Sequence, residues 1–194
     1  MGREFELKYR ADSAVLDAIR EKYGDFTEIR METTYYDTFD GKLFNRRWTL
    51  RQRLENGNSV CTLKTPHEDG GRGEWEVEAP GLITGIPMLC KQGAPMDLMA
   101  LTVNGIIPTC GARFTRLAKT IELEDCTVEL ALDQGVLTGR GKEQPLCEVE
   151  VELKEGSQAD CLAFARTLEQ QFGLIPEQHS KFRRALALYK GEEL

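Results

Sequence analysis

The strongest constraint on the fold is an alternation that recurs along the chain. In Glu4-Phe5-Glu6-Leu7-Lys8-Tyr9, residues Glu4, Glu6 and Lys8 share one face and Phe5, Leu7 and Tyr9 the other, because a β-strand has a side-chain period of two. Glu74, Glu76 and Glu78 alternate with Trp75 and Val77, and Glu148, Glu150 and Glu152 with Val149 and Val151. Arg51 and Arg53 repeat the spacing with positive charge. For any single strand a solvated face is the ordinary explanation. Across several strands it weakens, since three glutamates in a row on one exposed face repel one another unless a metal or a basic partner compensates. The pattern predicts that the charged faces meet around something charged.

Other signals fill in the order of elements. Asp12-Ser13 caps a helix with Val15, Leu16, Ile19 and Tyr23 on one face, ended by Gly24. Residues 28–38 read as a strand rich in Thr and Tyr, followed by a turn at Asp37–Gly41. Trp48–Leu54 and Val60–Thr65 pair across an Asn56-Gly57 hairpin turn, and a polar loop around His67 leads to the Glu74–Glu78 strand. Residues 80–108 break the rhythm, with helical spacing only in Met96–Val103. Strands resume at Phe114–Glu124, Cys126–Leu137 and Leu146–Lys154, and helices at Gln158–Phe172 and Ser180–Tyr189 close the chain. About eight strands joined by short links predict an antiparallel barrel or a strongly curved sheet. Small barrels normally fill their interior with apolar side chains. The alternative is a charged lumen with the apolar faces outside, beneath the helices.

Composition narrows the function. The 194 residues carry a formal net charge of −7, which argues against general nucleic-acid or anionic-membrane binding, and the length reads as one domain, residues 1–194. None of the six cysteines stands in a CxxC pair, so they read as small buried residues of a reducing, cytoplasmic protein. No secretion signal, membrane span or myristoylation pattern is expected.

The acidic candidates are Glu4, Glu6, Glu74, Glu76, Glu78, Glu129, Asp133, Glu148, Glu150 and Glu152; the basic ones are Lys8, Arg51, Arg53, Lys64, Arg72, Arg116 and Lys181. Carboxylates beside Arg and Lys suit a metal–polyphosphate complex. Oxygen ligands select Mg2+ or Mn2+, and guanidinium and ammonium groups neutralise phosphate oxygens. His179 reads as a polar turn residue, His67 as solvated, and Tyr35 and Tyr36 first of all as strand formers, one of which faces the lumen and positions the final helix.

An ordered set of motifs then resembles the CYTH domain family, the triphosphate tunnel metalloenzymes. Glu4-x-Glu6-x-Lys8 resembles its ExExK signature, followed in order by Tyr35-Tyr36-Asp37-Thr38, Leu50-Arg51-Gln52-Arg53, Thr62-x-Lys64, Arg72-x-Glu74-x-Glu76, Leu132-Asp133-Gln134-Gly135, Glu148-x-Glu150-x-Glu152 and Ser180-Lys181. The resemblance implies an α+β, mainly β fold: an eight-stranded antiparallel closed tunnel with a charged lumen and helices outside. It implies Glu4, Glu6, Glu148 and Glu150 as leading metal ligands, with Asp133 and Glu76 as further candidates for a second, water-activating metal. Lys8, Arg51, Arg53, Lys64, Arg116 and Lys181 would hold phosphates, Arg72 would do the same or pair with a carboxylate, and Arg116 suits that role better than Arg113.

Within the family, the length and the Leu146–Leu153 strand are most similar to bacterial inorganic triphosphatases. The expectation is a metal-dependent hydrolase acting on inorganic triphosphate, with Glu6, Glu76, Asp133 and Lys8 nearest the chemistry. Its partners would be a small-molecule triphosphate and, at most, a second copy of the chain. The alternatives are a class IV-like adenylyl cyclase, a thiamine triphosphatase, a polyphosphate- or nucleotide-binding module without turnover, and an apolar-lumen barrel carrying a hydrophobic ligand.

Overall fold

In a computed structural model of the chain, the described residues are 5–66 and 72–194, without the side chain of Arg72. The predicted Glu4 and His67 lie outside the described residues. The strands are β1 (Glu6–Arg10), β2 (Thr27–Asp37), β3 (Thr49–Glu55), β4 (Asn58–Pro66), β5 (Arg72–Glu78), β6 (Ile107–Glu122), β7 (Cys126–Gly139), β8 (Lys142–Gly156) and β9 (Ile175–Pro176). They form one sheet in the order β5-β4-β3-β2-β6-β7-β8-β1-β9, and every pairing is antiparallel. The β3–β4 turn is the predicted Asn56-Gly57 pair, both at positive φ (50° and 90°), which is the backbone a two-residue hairpin needs.

The helices are α1 (Ser13–Tyr23), α2 (Lys42–Asn45), α3 (Leu82–Lys91), α4 (Asp97–Thr102), α5 (Gln158–Phe172) and α6 (Lys181–Lys190). The side chains of Asp12, Ser157 and Ser180 cap α1, α5 and α6 by accepting backbone N–H bonds. None of the described helices is long and apolar enough to cross a membrane.

The apolar faces of the strands do turn outward, beneath the helices. Tyr9, Val128, Leu130, Leu132, Val149 and Val151 pack against Leu16 and Ile19 of α1 and Cys161, Ala165 and Leu168 of α5, with Phe5 and Leu7 in the same cluster. On the other half of the sheet Leu50, Cys61, Leu63 and Val77 pack against Leu82, Ile86 and Leu89 of α3 and Leu98 of α4. The sequence shows no helical signal for α3, which contains Gly85 and Pro87. Packing outweighs propensity there: Gly85 lies so close to Cys61 that a Cβ would stand 2.7 Å from its sulfur.

The sheet is open, which departs from the predicted closed barrel. Among the described residues no pairing joins β5 to β1. The β1 edge that a closing strand would need is partly occupied: β9 pairs with Tyr9 and Arg10, and Glu177 N–H donates to the Lys8 carbonyl at 2.8 Å. Pro176 has no N–H to extend the ladder further. The sheet nevertheless curls far enough for β1 and β5, near its two ends, to line one cavity.

Candidate active site

The concave face encloses a cavity of about 740 Å³ reached by all eight long strands and by the start of α6. Alternation supplies its walls: Glu6 and Lys8 from β1, Arg51 and Arg53 from β3, Lys64 from β4, Glu74 and Glu76 from β5, Arg116 from β6, Glu129 from β7, Glu150 and Glu152 from β8. The strip contributed by β2 and part of β6 is uncharged, with Met31, Thr33, Tyr35, Ala112 and Phe114.

On one side three carboxylates are buried together. Asp133 stands opposite Glu148 in the β7–β8 register, Glu150 is two residues on, and their exposures are 0%, 0% and 8%. An oxygen from each lies within 4.8 Å of the others. Arg116 donates Nε to Asp133 Oδ1 (2.8 Å) and Nη2 to Asp133 Oδ2 (2.7 Å), and also reaches Glu150 Oε2. Lys181 Nζ lies 2.8 Å from Asp133 Oδ2 and 2.7 Å from Glu150 Oε1, and it touches Glu148 Oε2. Arg184 binds Glu148 Oε1. Three carboxylates thus face three cations.

The titration behaviour follows from that packing. Burial pushes Glu148 upward, and neighbouring Glu150 adds to it against the pull of Lys181 and Arg184. Burial would raise Glu150 too, but Lys181 and Arg116 outweigh it and hold this carboxyl below the usual range. For Lys181 and Arg116 burial works against the charge, and the carboxylates around them more than reverse it, so both stay firmly protonated.

The opposite wall also mixes the two signs, with Arg51, Arg53 and Lys64 among Glu55, Glu74 and Glu76. Arg51 stands 3.9 Å from Glu74 and from Glu76, Arg53 3.5 Å from Glu76, and Lys64 2.9 Å from Glu74. Glu76 accepts a hydrogen bond from Thr62 Oγ1 at 3.1 Å. The Nε–H groups of Arg51 and Arg53 are buried with no acceptor among the described residues. Burial, and then the like charge of Arg51, lowers the Arg53 pKa. Arg53 also pairs with Glu55, so both guanidiniums have carboxylate neighbours within the chain.

Lys8 pairs with Glu6 at 2.6 Å. Asp133 joins Glu148 and Glu150 instead of grouping with Glu76, which sits among the arginines of the opposite wall. Arg72 opens β5, but its side chain is outside the described set. Arg113 and Arg116 point to opposite faces; Arg113 pairs with the exposed Glu143. Glu129 and Glu152 share Lys154, at 3.6 and 2.9 Å. Glu78 is exposed, and His179 stands 3.5 Å from Glu177 at the surface. Tyr35 lines the cavity and meets Phe182 of α6, whereas Tyr36 packs outward with Leu43 and Leu50.

Arg184 is the site residue the sequence reading did not single out. Its signal was present: it lies three residues after Lys181 on a predicted helix, hence on the same face.

The carboxylate set fits a divalent cation. Its donors are hard oxygens, and Glu148 Oε2 is fully buried, touching the Lys181 ammonium yet receiving no well-directed hydrogen bond.

The CYTH domain profile matches residues 2–186. An inorganic triphosphatase of Haemophilus influenzae is 27% identical over 195 residues, covering 97% of this chain; the chain spans 55% of that relative's length. Among solved structures, a Hippeastrum protein, described as an adenylyl cyclase candidate with a dominant triphosphatase activity, is 18% identical. The two overlap over 98% of this chain and 97% of that one, with a TM-score of 0.68. A Pyrococcus horikoshii protein overlaps 95% of this chain and 99% of its own, at 21% identity and a TM-score of 0.59. At these identities the likeness to the solved structures is one of fold.

Proposed function

The chain belongs to the CYTH domain family, and from that premise we propose that it hydrolyses inorganic triphosphate to pyrophosphate and phosphate with a divalent metal, Mg2+ or Mn2+. The observation that carries this reading is that carboxylates and basic side chains line one cavity together. Buried carboxylates gather on the β7–β8 side, and Arg51, Arg53 and Lys64 stand among Glu55, Glu74 and Glu76 on the β3–β5 side. The naming of the Haemophilus influenzae relative as an inorganic triphosphatase supports the choice of substrate.

Asp133, Glu148 and Glu150 would hold the metal, with Glu6 and Glu4 as further oxygen donors. The metal would supply Lewis-acid polarisation of phosphoryl oxygens and a water of lowered pKa. Arg51, Arg53, Lys64 and Lys8 would bind the non-bridging oxygens, with Arg72 beside them. Arg116 and Lys181, beside the carboxylates, would neutralise charge growing on the pyrophosphate leaving group. Water oxygen forms the new P–O bond, the bridging P–O bond breaks, and one proton is released. Glu76, among the arginines, is the carboxylate we assign to orienting that water.

The reading includes a single domain over residues 1–194, a cytoplasmic setting, and action as a monomer or homodimer on a small molecule. It also includes closure of the curled sheet into an eight-stranded tunnel around the substrate.

The test is phosphate release from tripolyphosphate with Mg2+ or Mn2+, run beside ATP, GTP and thiamine triphosphate. Turnover of tripolyphosphate that EDTA abolishes is expected. Equal turnover in EDTA would sink the reading, and cyclic AMP with pyrophosphate from ATP would replace it with a cyclase.

A further inference from the structure

Lys181 occupies an unusual place for a phosphate-binding lysine. Its ammonium reaches Asp133 Oδ2, Glu148 Oε2 and Glu150 Oε1, one oxygen from each buried carboxylate, and these are the same three residues whose oxygens converge within 4.8 Å. The fit is one of charge more than of direction. The ammonium donates a hydrogen bond to Glu150 Oε1, while its approach to Glu148 leaves Oε2 without a well-directed donor. Oxygens that converge on a point suit a spherical ion better than a tetrahedral donor.

Charge leads to the same conclusion. With Lys181, Arg116 and Arg184 in place, three cations balance Asp133, Glu148 and Glu150. A divalent ion added to that set would meet an ammonium already seated among its ligands, in a region with little water to screen the repulsion.

We propose that Lys181 is a built-in occupant of the metal position: its ammonium leaves the three carboxylates when a divalent cation enters. The inference deepens the proposed function, and rests on it in taking Asp133, Glu148 and Glu150 as the metal ligands.

The chain is built to let the side chain move while the helix stays. Ser180 Oγ accepts from Arg183 N–H and caps α6. Phe182 is held between Tyr35 and Phe44, with ring centroids 4.8 and 5.5 Å away. Lys181, between these two anchored residues, has a flexible four-carbon stem, and its Nζ already stands 5.3 Å from the Phe114 ring centroid on the cavity side. Arg184 remains on Glu148 Oε1 and keeps that carboxylate in position after the ammonium has gone. The released Lys181 is then free to meet phosphate oxygens, so one residue balances the ligands when the site holds no metal and the substrate when it does.

The experiment measures metal binding without substrate. Calorimetric titration with Mn2+ compares the wild type with Lys181→Met, which keeps the stem and removes the charge. Removal of a competing cation is expected to tighten Mn2+ binding at least tenfold. Equal or weaker binding by the variant, or no binding by either protein, would overturn the inference. If the variant does not fold, the wild type decides: the buried Lys181 ammonium, followed by its ¹H–¹⁵N correlation in lysine-labelled protein, is expected to lose or shift its signal on titration with Mg2+ alone. A signal unmoved by Mg2+ overturns the proposal. Neither measurement needs turnover, so inactivity toward tripolyphosphate would sink the proposed activity and leave this inference standing.

Discussion

Tyr35 meets Phe182 with ring centroids 4.8 Å apart and planes tilted by 50°, and that contact ties β2 to the first turn of α6. Lys181 precedes Phe182, so the ring pair fixes the base from which the ammonium reaches Asp133, Glu148 and Glu150. Phe182 is only partly buried, so Phe182→Ala is expected to cost about 2 kcal/mol, below the range for fully buried phenylalanines. Its effect on turnover should be larger than that of Tyr35→Phe, which keeps the ring. Thermal melting and steady-state kinetics on the two variants check this; equal loss of activity in both would show that the contact does not position Lys181.

Arg116 holds Asp133 through two parallel hydrogen bonds and Glu150 through a third contact. Its removal leaves two buried carboxylates with less compensation, and breaking a buried pair from one side costs about 3–5 kcal/mol. Arg116→Ala is therefore expected to lower the urea midpoint strongly. Arg116→Lys should recover only part of the loss, because an ammonium cannot fork to both oxygens of Asp133. Full recovery by lysine would show that charge alone matters at this position.

Much of this arrangement was legible from the period of two. That period puts Glu6 with Lys8, Arg51 with Arg53, and Glu148 with Glu150 on the inner face, and it sends Phe5, Leu7, Val149 and Val151 out beneath the helices. It also separates Arg116 from Arg113. What escaped is non-local. Asp133 joins Glu148 because of the β7–β8 register, which no single strand encodes. Arg184 pairs with a residue 36 positions earlier. A two-residue strand, too short to show a pattern, covers part of the β1 edge of the open sheet. Helix α3 forms through its packing on β4 and β5, against the preferences of Gly85 and Pro87.

Arg53 is expected to matter more for substrate binding than for stability. It carries a buried Nε–H without an acceptor among the described residues, and burial together with the charge of Arg51 lowers its pKa, yet it also pairs with Glu55 and lies 3.5 Å from Glu76. Replacing Arg53 by Met removes the unsatisfied donor and the ion pairs together, so stability should change by no more than about 1 kcal/mol. The KM for tripolyphosphate should rise at least tenfold. Chemical denaturation and initial-rate kinetics on one preparation test both halves; a destabilised variant with unchanged KM would mean that Arg53 serves the fold.

Glu148 carries the clearest prediction for the metal. Its carboxylate is completely buried and its Oε2 lacks a well-directed donor. Glu148→Gln keeps the shape and removes the charge, so the fold should persist while Mn2+ affinity falls at least tenfold in calorimetric titration. EDTA should abolish turnover in the wild type, and added Mg2+ or Mn2+ should restore it. Wild-type metal affinity in the variant would remove Glu148 from the ligand set.

The two strands that bound the opening, β5 and β1, both line the cavity, yet no described pairing joins them. Glu74 and Glu76 face inward from one and Glu6 and Lys8 from the other. In the free protein these carboxylates pair with basic residues of their own walls, and a bound polyanion with its metal would give the two walls a shared partner. Saturation with Mg2+ and imidotriphosphate, which resists hydrolysis, is therefore expected to draw the edges together. Amides of Arg72–Glu78 that point away from β4 have no strand partner among the described residues. Their hydrogen exchange should slow by roughly tenfold or more on closure, since a paired amide exchanges only when its strand opens. Exchange in β5 unchanged by the ligand, while Arg51 and Arg53 variants still alter KM, would establish that the substrate is held in an open groove.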